Sequence, residues 1–289
     1  DADARQRVAE ARAQHQPQQR IREHQRRQRQ VVHRPASGAV QRAQHRAHEN
    51  GELTVIADAE DRPSAELELI ARLVPDVDGV VLCSPTAPTA RLVAALGSRP
   101  AVLVNRPIRG RASVVADQRA AVLLAHDHLS GLGHERIAYV RGPAGKWTSS
   151  ARDAQAGRLG LDLVGPVAPT FGGGARAASA LPRGTTAVIA HNDLVAVGLV
   201  DALTSSGRRV PEDVSVVGCD DVELASLVRP ALTTVRMPLE QLGRRAVDRL
   251  AEQISGSGPV GSAPTAADPV LAVTLTVRGS TAPYAAGRT

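Results

Sequence analysis

Aromatic side chains are nearly absent from this chain: its 289 residues include one Trp, two Tyr and one Phe. Stacking-based binding of single-stranded nucleic acid needs repeated aromatic platforms, so the sequence argues against that class of protein. No apolar run reaches the ~18 residues that a membrane span needs. No apolar stretch follows a basic one near the first residue, so no secretory signal is visible. We therefore expect a cytoplasmic protein with no membrane partner.

Cysteine is scarce as well, and the common catalytic motifs are missing. Cys83 and Cys219 lie far apart and outside any CxxC pattern, which argues against a disulfide framework or a structural zinc site. His126 and His128 are two residues apart on a predicted helix, so they point to different faces and make poor joint metal ligands. No Walker loop, GxGxxG opening or GxSxG elbow is present. The sequence therefore predicts no enzyme, no metal and no cofactor.

The net charge of +6 belongs entirely to the first 50 residues. They hold 11 Arg, no Lys and 5 acidic residues, whereas residues 51–289 hold 24 basic and 24 acidic residues. With ten Gln and few apolar residues, segment 1–50 is predicted to be non-globular, either disordered or irregular. Two interpretations remain open: a basic arm that neutralises phosphates, or a solvated tail. The candidate phosphate contacts are Arg20, Arg22, Arg26, Arg27 and Arg29.

From Glu52 onward, short β-branched runs alternate with amphipathic stretches. Continuous apolar strands in this order predict an α/β fold with parallel sheets covered by helices on both faces. The predicted strands are 53–57, 77–83, 101–104, 136–140, 163–168, 186–190, 214–218 and 270–277. The predicted helices are 63–74, 89–96, 118–132, 193–206 and 239–254, with a loop at 171–174. We divide the chain into segment 1–50, an N-terminal lobe at 51–142 and a C-terminal lobe at 143–283.

Polar residues mark the ends of the predicted strands, where ligands bind in open α/β sheets. These positions are Ser84, Asn105, Gly142, Asn192 and Asp220. A helix cap or a turn is the simplest role for Asn192 and for Asp220. Together with Arg152 and Trp147, however, they provide carboxylate and guanidinium groups for vicinal hydroxyls and an indole face for a sugar ring.

Long sequence blocks extend this pattern. They read DGVVLCSP, PAVLVNRP, HLSGLGHERIAYVRGP, AHNDLVAVG, VPEDVSVVGCDD, PALTTVRMPLEQLGRRAV and VTLTVRGSTAP. Over residues 52–283 the chain resembles the effector-binding core of the lactose-repressor (LacI/GalR) family of bacterial regulators. The resemblance implies a two-lobed periplasmic-binding-protein-like fold with three crossovers. It also implies a homodimer whose affinity for operator DNA changes when a small effector binds.

The resemblance also implies which residues hold the effector. Arg152 matches the ligand-clamping Arg of a W-x4-R pattern, Asn192 matches the Asn of the AND-type motif, and Asp220 matches the first Asp of the GxDD motif. Asp117 resembles the Asp of the V-x-x-D-N block, with Gln118 in place of Asn. The implied effector-binding residues are Asp117, Trp147, Arg152, Asn192 and Asp220, while Asp193 and Asp221 are expected to be structural.

The effector is expected to be a sugar or related polyol. Only Trp147 and Phe171 are available to stack on a ring, whereas a purine would favour two stacking faces.

Two departures from the family pattern are visible. No helix-turn-helix headpiece, hinge helix or first strand is legible in residues 1–48, so the N-terminal lobe is expected to lack a central strand. Residues 40–50 resemble the tail of the first helix. The Arg/Gln/His-rich composition suggests a GC-rich coding stretch read in a displaced frame, as an alternative to a native arm. The helix that follows Arg152 also looks several residues short.

Three functions compete at this point. The leading hypothesis is an effector-responsive DNA-binding repressor, or the core of one. A solute-binding protein of the same fold that serves a transporter is the alternative, against which the missing export signal argues. A sugar-processing enzyme has no catalytic constellation to support it.

Overall fold

The chain folds into two compact units. A computed structural model describes residues 29–33, 38–256 and 270–284. Unit 1 comprises Asp1–Val114 and Leu239–Pro269, and unit 2 comprises Val115–Pro238 and Val270–Thr289. The chain thus passes three times between the units, as the family resemblance implied. The predicted boundary at residue 142 is wrong, because the strand before it pairs with a strand after it inside unit 2.

Helices and strands alternate through both units. The strands are β1 (Arg29–His33), β2 (Leu53–Ala57), β3 (Gly79–Cys83), β4 (Ala101–Val104), β5 (Ala112–Val114), β6 (Ile137–Val140), β7 (Asp162–Val164), β8 (Ala187–Ala190), β9 (Ser215–Asp220), β10 (Thr233–Arg236) and β11 (Thr274–Thr276). The helices are α1 (Gly38–Glu49), α2 (Pro63–Leu73), α3 (Thr89–Leu96), α4 (Gln118–Gly131), α5 (Trp147–Arg158), α6 (Phe171–Ala178), α7 (Asp193–Ser205), α8 (Leu224–Leu227) and α9 (Leu239–Ile254). Among the described residues, no helix combines the length and the apolar character needed to cross a membrane.

Unit 1 is built on a parallel sheet with the strand order β2-β1-β3-β4-β5. Every residue of β3 and of β4 is buried, as expected for strands covered on both faces. Helices α2 and α3 cover one face through a cluster that includes Ile70, Leu92 and Leu103. Helix α9 covers the other face, where Leu250 lies against Gly79, and α1 packs on α9.

The N-terminal segment is more ordered than its composition predicts. Strand β1 pairs with both β2 and β3, so it fills the position that the sequence analysis left empty. Helix α1 confirms the helix expected at residues 40–50 and extends it to Gly38. The expectation of an irregular segment is therefore wrong for 29–33 and 38–49. A central strand needs only a few residues of extended backbone, and Gln and His beside Val31 and Val32 hide the usual apolar pattern.

Unit 2 is built on a second sheet with the strand order β11-β10-β9-β8-β6-β7. All of its strand pairs are parallel except β10 with β11. Alternate residues of β6 and β8 pack against α6 and α7 in a buried cluster that includes Ala138, Val188 and Leu199. The opposite face carries α4 and α5, so the helices form a layer on each side of this sheet. The α/β class and the parallel sheets are as predicted.

The glycine run at 172–174 belongs to a helix, which corrects the predicted loop. Thr170 caps α6 by accepting a hydrogen bond from the Gly173 main-chain nitrogen. The glycines let α6 and α7 approach closely: a Cβ on Gly174 would collide with the Val195 carbonyl, and one on Gly198 with the Phe171 carbonyl. The run therefore serves helix packing, a role that a local pattern cannot distinguish from a flexible turn.

We expect Gly198→Ala to destabilise unit 2 by about 1–3 kcal/mol, because the added methyl group forces two helices apart. Gly157 is the matched control, since it is an exposed helical glycine with open space around its Cα. Gly157→Ala should stabilise the unit by about 0.5–1 kcal/mol. Urea unfolding followed by fluorescence of the single Trp147 measures both changes. Equal effects of the two substitutions would contradict the close packing.

Candidate functional site

The carboxyl edge of the unit 2 sheet gathers a cluster of mostly polar side chains. His191 follows β8, Asp220 ends β9 and Met237 follows β10, while Arg152 and Gln118 reach this edge from α5 and α4. We call these five residues the Arg152 cluster. In unit 1 the corresponding edge carries Ser84 and Asn105, which have positive φ angles of 48° and 56°.

Arg152 is the centre of this cluster. Its side chain is 6% exposed, and its Nε donates to Gln118 Oε1 at 2.7 Å while one Nη donates to the carbonyl oxygen of His191 at 2.5 Å. It also contacts two sulfur atoms, Met237 Sδ at 3.9 Å and the thiol of Cys219. Because sulfur is a weak acceptor, the guanidinium keeps hydrogen-bonding capacity for a stronger partner.

Asp220 supplies a carboxylate next to this guanidinium. Burial raises the pKa of Asp220 to about 6, and the positive charge of Arg152 opposes the rise. The backbone of Asp220 has a φ of 119°, a strained conformation for a residue other than glycine. Within the described residues the Asp220 side chain has no hydrogen-bond or ion-pair partner. A strained, unpaired carboxylate at a sheet edge is typical of a binding position rather than of a structural one.

His191 and Gln118 were not among the predicted binding residues. The imidazole of His191 is buried, and its Nδ1 has no partner in the described part of the chain. Burial, together with the positive charges of Arg152 and Lys146, lowers the pKa of His191 to about 3, so the ring is neutral. Gln118 is also buried, and its Nε2 is unpartnered there too. Gln118 could have been found from the sequence, because it occupies the Asn position of the family's V-x-x-D-N block. No sequence pattern pointed to His191.

Two predicted binding residues act as helix caps. Asp117 Oδ1 accepts from the main-chain nitrogens of Arg119 and Ala120 at 3.1 and 2.9 Å. Asn192 Oδ1 accepts from Val195 N at 2.9 Å, and its Nδ2 donates to the Pro169 carbonyl. Their side chains satisfy the free N–H groups at the starts of α4 and α7, which was the simplest role expected for Asn192 but was not foreseen for Asp117. Trp147 is the first residue of α5 and is half-buried.

Asp193 and Asp221 hold the loop that follows β9, as the sequence analysis expected. Asp193 accepts from Val222 N at 2.9 Å and from the Thr234 hydroxyl at 2.5 Å. Asp221 pairs with Arg236 at 2.6 Å and with Arg278 at 2.7 Å. Although burial raises the pKa of Asp221, these two arginines lower it more, so the net shift is downward.

The buried carboxyl group of Asp193 makes the stability of unit 2 depend on pH. Burial raises its pKa to about 7, against about 3.9 in an unfolded chain. The folded state therefore holds a proton that the unfolded state loses, and stability present below pH ~4 is lost as the pH rises towards ~7. The upper limit of this loss is about 4 kcal/mol.

Asp193→Asn keeps a neutral side chain of the same shape at every pH. We therefore expect the free energy of unfolding of this variant, relative to that of the wild type, to increase from pH 5 to pH 8. Urea unfolding of both proteins at each pH, followed by Trp147 fluorescence, measures the difference. Parallel stability curves would show that the carboxyl group is already ionised in the folded protein.

The structure also bears on possible metal ligands and on the candidate phosphate contacts. Within the described residues, no group of three or more His, Cys, Asp or Glu side chains is placed to hold a metal ion. Of the candidate phosphate contacts, Arg20, Arg22, Arg26 and Arg27 lie outside the described residues. Arg29 begins β1.

Comparison with known proteins assigns this arrangement to a family. The model of the periplasmic binding protein-like domain matches residues 126–281. A solved LacI family transcriptional regulator from Mycobacterium smegmatis is 30% identical, with a TM-score of 0.74, over 88% of this chain and 99% of that chain. The chain belongs to the LacI/GalR family.

Curated relatives and other structures agree with the LacI/GalR assignment. The regulator MalR of Streptomyces coelicolor is 42% identical over 57% of this chain and 51% of its own length. The ribose operon repressor of Escherichia coli is 34% identical over 62% of this chain and 59% of its own length. A CelR–cellobiose complex is 27% identical, with a TM-score of 0.76, and the match covers 88% of this chain and 85% of that chain. A lac repressor dimer bound to operator is 26% identical, with a TM-score of 0.75, and the match covers 89% of this chain and 94% of that chain.

These relatives are named as transcriptional regulators, which favours regulation over the transport alternative. The chain spans about half the length of MalR.

Proposed function

We propose that this chain is the effector-binding core of a transcriptional regulator. Its effector is a small sugar or related polyol held in unit 2 by Arg152 and Asp220. Effector binding changes the affinity of a homodimer for operator DNA. The regulator is a repressor, as the names of several relatives suggest.

The observation that carries this proposal is that Arg152 and Asp220 lie at the same edge of the unit 2 sheet, close enough for the charge of Arg152 to act on the carboxyl group. A buried guanidinium and a strained carboxylate lie at one sheet edge, and both have hydrogen-bonding capacity that the described residues leave unused. Vicinal hydroxyls match them well, because each hydroxyl accepts from the guanidinium and donates to the carboxylate. Trp147, which begins α5, is the candidate for packing against a sugar ring. Asp117 and Asn192 support the site by capping α4 and α7.

The names of related proteins support the ligand class and the partners. One relative is named for the ribose operon, one structure contains cellobiose, and another shows a repressor dimer on its operator. Asp, Asn and Arg are typical ligands for sugars such as these, whereas a purine would need Trp147 and Phe171 to supply both of its stacking faces. The candidates for contacts with DNA phosphates are Arg20, Arg22, Arg26, Arg27 and Arg29.

The experiment is a thermal-shift panel followed by DNA binding. Ribose, glucose, galactose, maltose, cellobiose and adenosine are added to the purified chain. A sugar at 100 times its Kd should stabilise the protein by about 2.7 kcal/mol. The affinity for a labelled duplex from upstream of its own gene is then measured by anisotropy with and without that sugar. A change of about 5- to 150-fold is expected. Stabilisation by adenosine alone would contradict the ligand class, and a measurable DNA affinity that the sugar leaves unchanged would contradict the coupling.

A further inference from the structure

Two buried polar side chains beside Arg152 have hydrogen-bonding atoms that no described residue satisfies: Nδ1 of His191 and Nε2 of Gln118. We propose that His191 and Gln118 select the effector, by forming hydrogen bonds with its hydroxyl groups next to Arg152 and Asp220. This inference rests on the proposed function and adds two specificity-determining residues to that site.

The position of His191 is set by its neighbours. Its carbonyl oxygen accepts the hydrogen bond from Arg152, which fixes the main chain at the end of β8. Its ring is packed over Gly142, where a Cβ would collide with the imidazole. The side chain is therefore held at the carboxyl edge of β6 and β8, and it is 8% exposed. A neutral imidazole offers one donor and one acceptor, and a hydroxyl group can pair with either.

Gln118 offers a donor of fixed orientation. Since the guanidinium of Arg152 can only donate, the atom that receives its Nε hydrogen must be the amide oxygen of Gln118. The amide nitrogen then faces away from Arg152 with two N–H groups. Gln118 is 2% exposed, so bulk water does not satisfy them. Together the cluster presents donors from Arg152 and Gln118, an acceptor from Asp220 and both kinds of group from His191, which matches a neutral ligand with several hydroxyls.

A second buried histidine in unit 2 shows what a structural role looks like. His134 is 5% exposed, and its two ring nitrogens contact the hydroxyls of Thr186 and Ser215 and the carbonyl of Ala282. Buried polar groups in folded proteins are normally satisfied in this way. His191 and Gln118 each have a buried polar atom without such a partner, and both lie at the edge of the sheet where ligands bind.

The first test compares the two histidines without any ligand. Leucine has no polar atoms, so His191→Leu removes an unsatisfied group and should leave the unfolding temperature unchanged or raise it. His134→Leu leaves three polar groups without their hydrogen-bond partner, and it should lower the unfolding temperature by several degrees or prevent folding. If His191→Leu lowers the unfolding temperature as much as His134→Leu, His191 is structural and the inference is wrong.

The second test uses the sugar that shifts the wild type most, with its monodeoxy analogues as probes. Calorimetric titration of His191→Leu and Gln118→Met should show binding weakened by about tenfold or more. Each variant should also fail to discriminate the sugar from the deoxy analogue that lacks the hydroxyl it contacts. Gln253→Met is the matched control, because both polar atoms of the Gln253 amide are bonded to the main chain of Ala101 in unit 1.

The outcomes separate this inference from the function on which it rests. If the wild type binds none of the sugars, the proposed function itself fails. If the wild type binds a sugar, and both variants bind it and its deoxy analogues with wild-type affinities, the sugar site stands and only the selecting role of His191 and Gln118 is overturned.

Discussion

Asp220→Asn is expected to weaken effector binding by about 10- to 150-fold while leaving the protein folded. A hydrogen bond to a charged group contributes about 1.5–3 kcal/mol, and the neutral amide replaces an acceptor by a donor where the ligand hydroxyl donates. Because burial opposes ionisation of Asp220, whose pKa is raised to about 6, the substitution should also leave stability at pH 8 unchanged or raise it. Calorimetric titration and thermal unfolding measure the two effects.

The neighbouring residue is the matched control for this substitution. Asp221 ion-pairs with Arg236 and Arg278, and its side chain is 4% exposed. Asp221→Asn should therefore lower stability and leave the Kd for the sugar close to the wild-type value. The reverse pattern, with weaker binding for Asp221→Asn and lower stability for Asp220→Asn, would show that the two adjacent carboxylates have exchanged roles.

Deletion of residues 1–33 is expected to unfold unit 1 and leave unit 2 folded. Strand β1 lies between β2 and β3 and forms hydrogen bonds with both, and β2 has no other neighbour among the described strands. Each lost backbone hydrogen bond contributes about 1 kcal/mol, and together they are comparable with a domain stability of about 5–15 kcal/mol. The deletion should therefore remove the cooperative transition of unit 1.

The positions of the aromatic residues allow the effect of this deletion on each unit to be measured separately. Tyr139, Trp147, Phe171 and Tyr284 all belong to unit 2, so tryptophan fluorescence reports on that unit alone, whereas far-UV circular dichroism reports on both. The truncated protein should keep the fluorescence transition and lose part of the helical signal. A control chain that begins at Arg29 retains β1 and should keep both signals. If deletion to residue 33 leaves the circular dichroism transition unchanged, β1 is not a structural strand.

The sequence predicted most of the fold from residue 52 onward, because hydrophobic periodicity is strong there. Helix α9 and strand β4 have the predicted bounds, and α3 begins and ends where its spacing indicated. The predictions failed where long-range contacts decide the structure. Strand β1 depends on its partners β2 and β3, and the glycines of α6 depend on contact with α7.

The members of the Arg152 cluster were predicted in part. The family motifs singled out Arg152 and Asp220, which the structure places at the same sheet edge as His191 and Gln118, and their role in effector binding stays a prediction. The motifs could not show that the side chains of Asp117 and Asn192 cap helices, since the same residue types serve capping and binding. They also could not identify the unsatisfied atoms of His191 and Gln118, because hydrogen-bond satisfaction depends on the folded neighbours.

Hydrogen–deuterium exchange with and without the bound sugar tests the central claim most directly, because it locates the ligand on the unsubstituted protein. The account predicts that protection in unit 2 rises around residues 190–193 and 218–222 and at the start of α5. A polar groove elsewhere in unit 2 is lined by residues that include His126, Ser130, Glu135, Arg136 and Asp162. Protection concentrated in that groove, with 190–193 and 218–222 unchanged, would contradict an effector site built on Arg152 and Asp220.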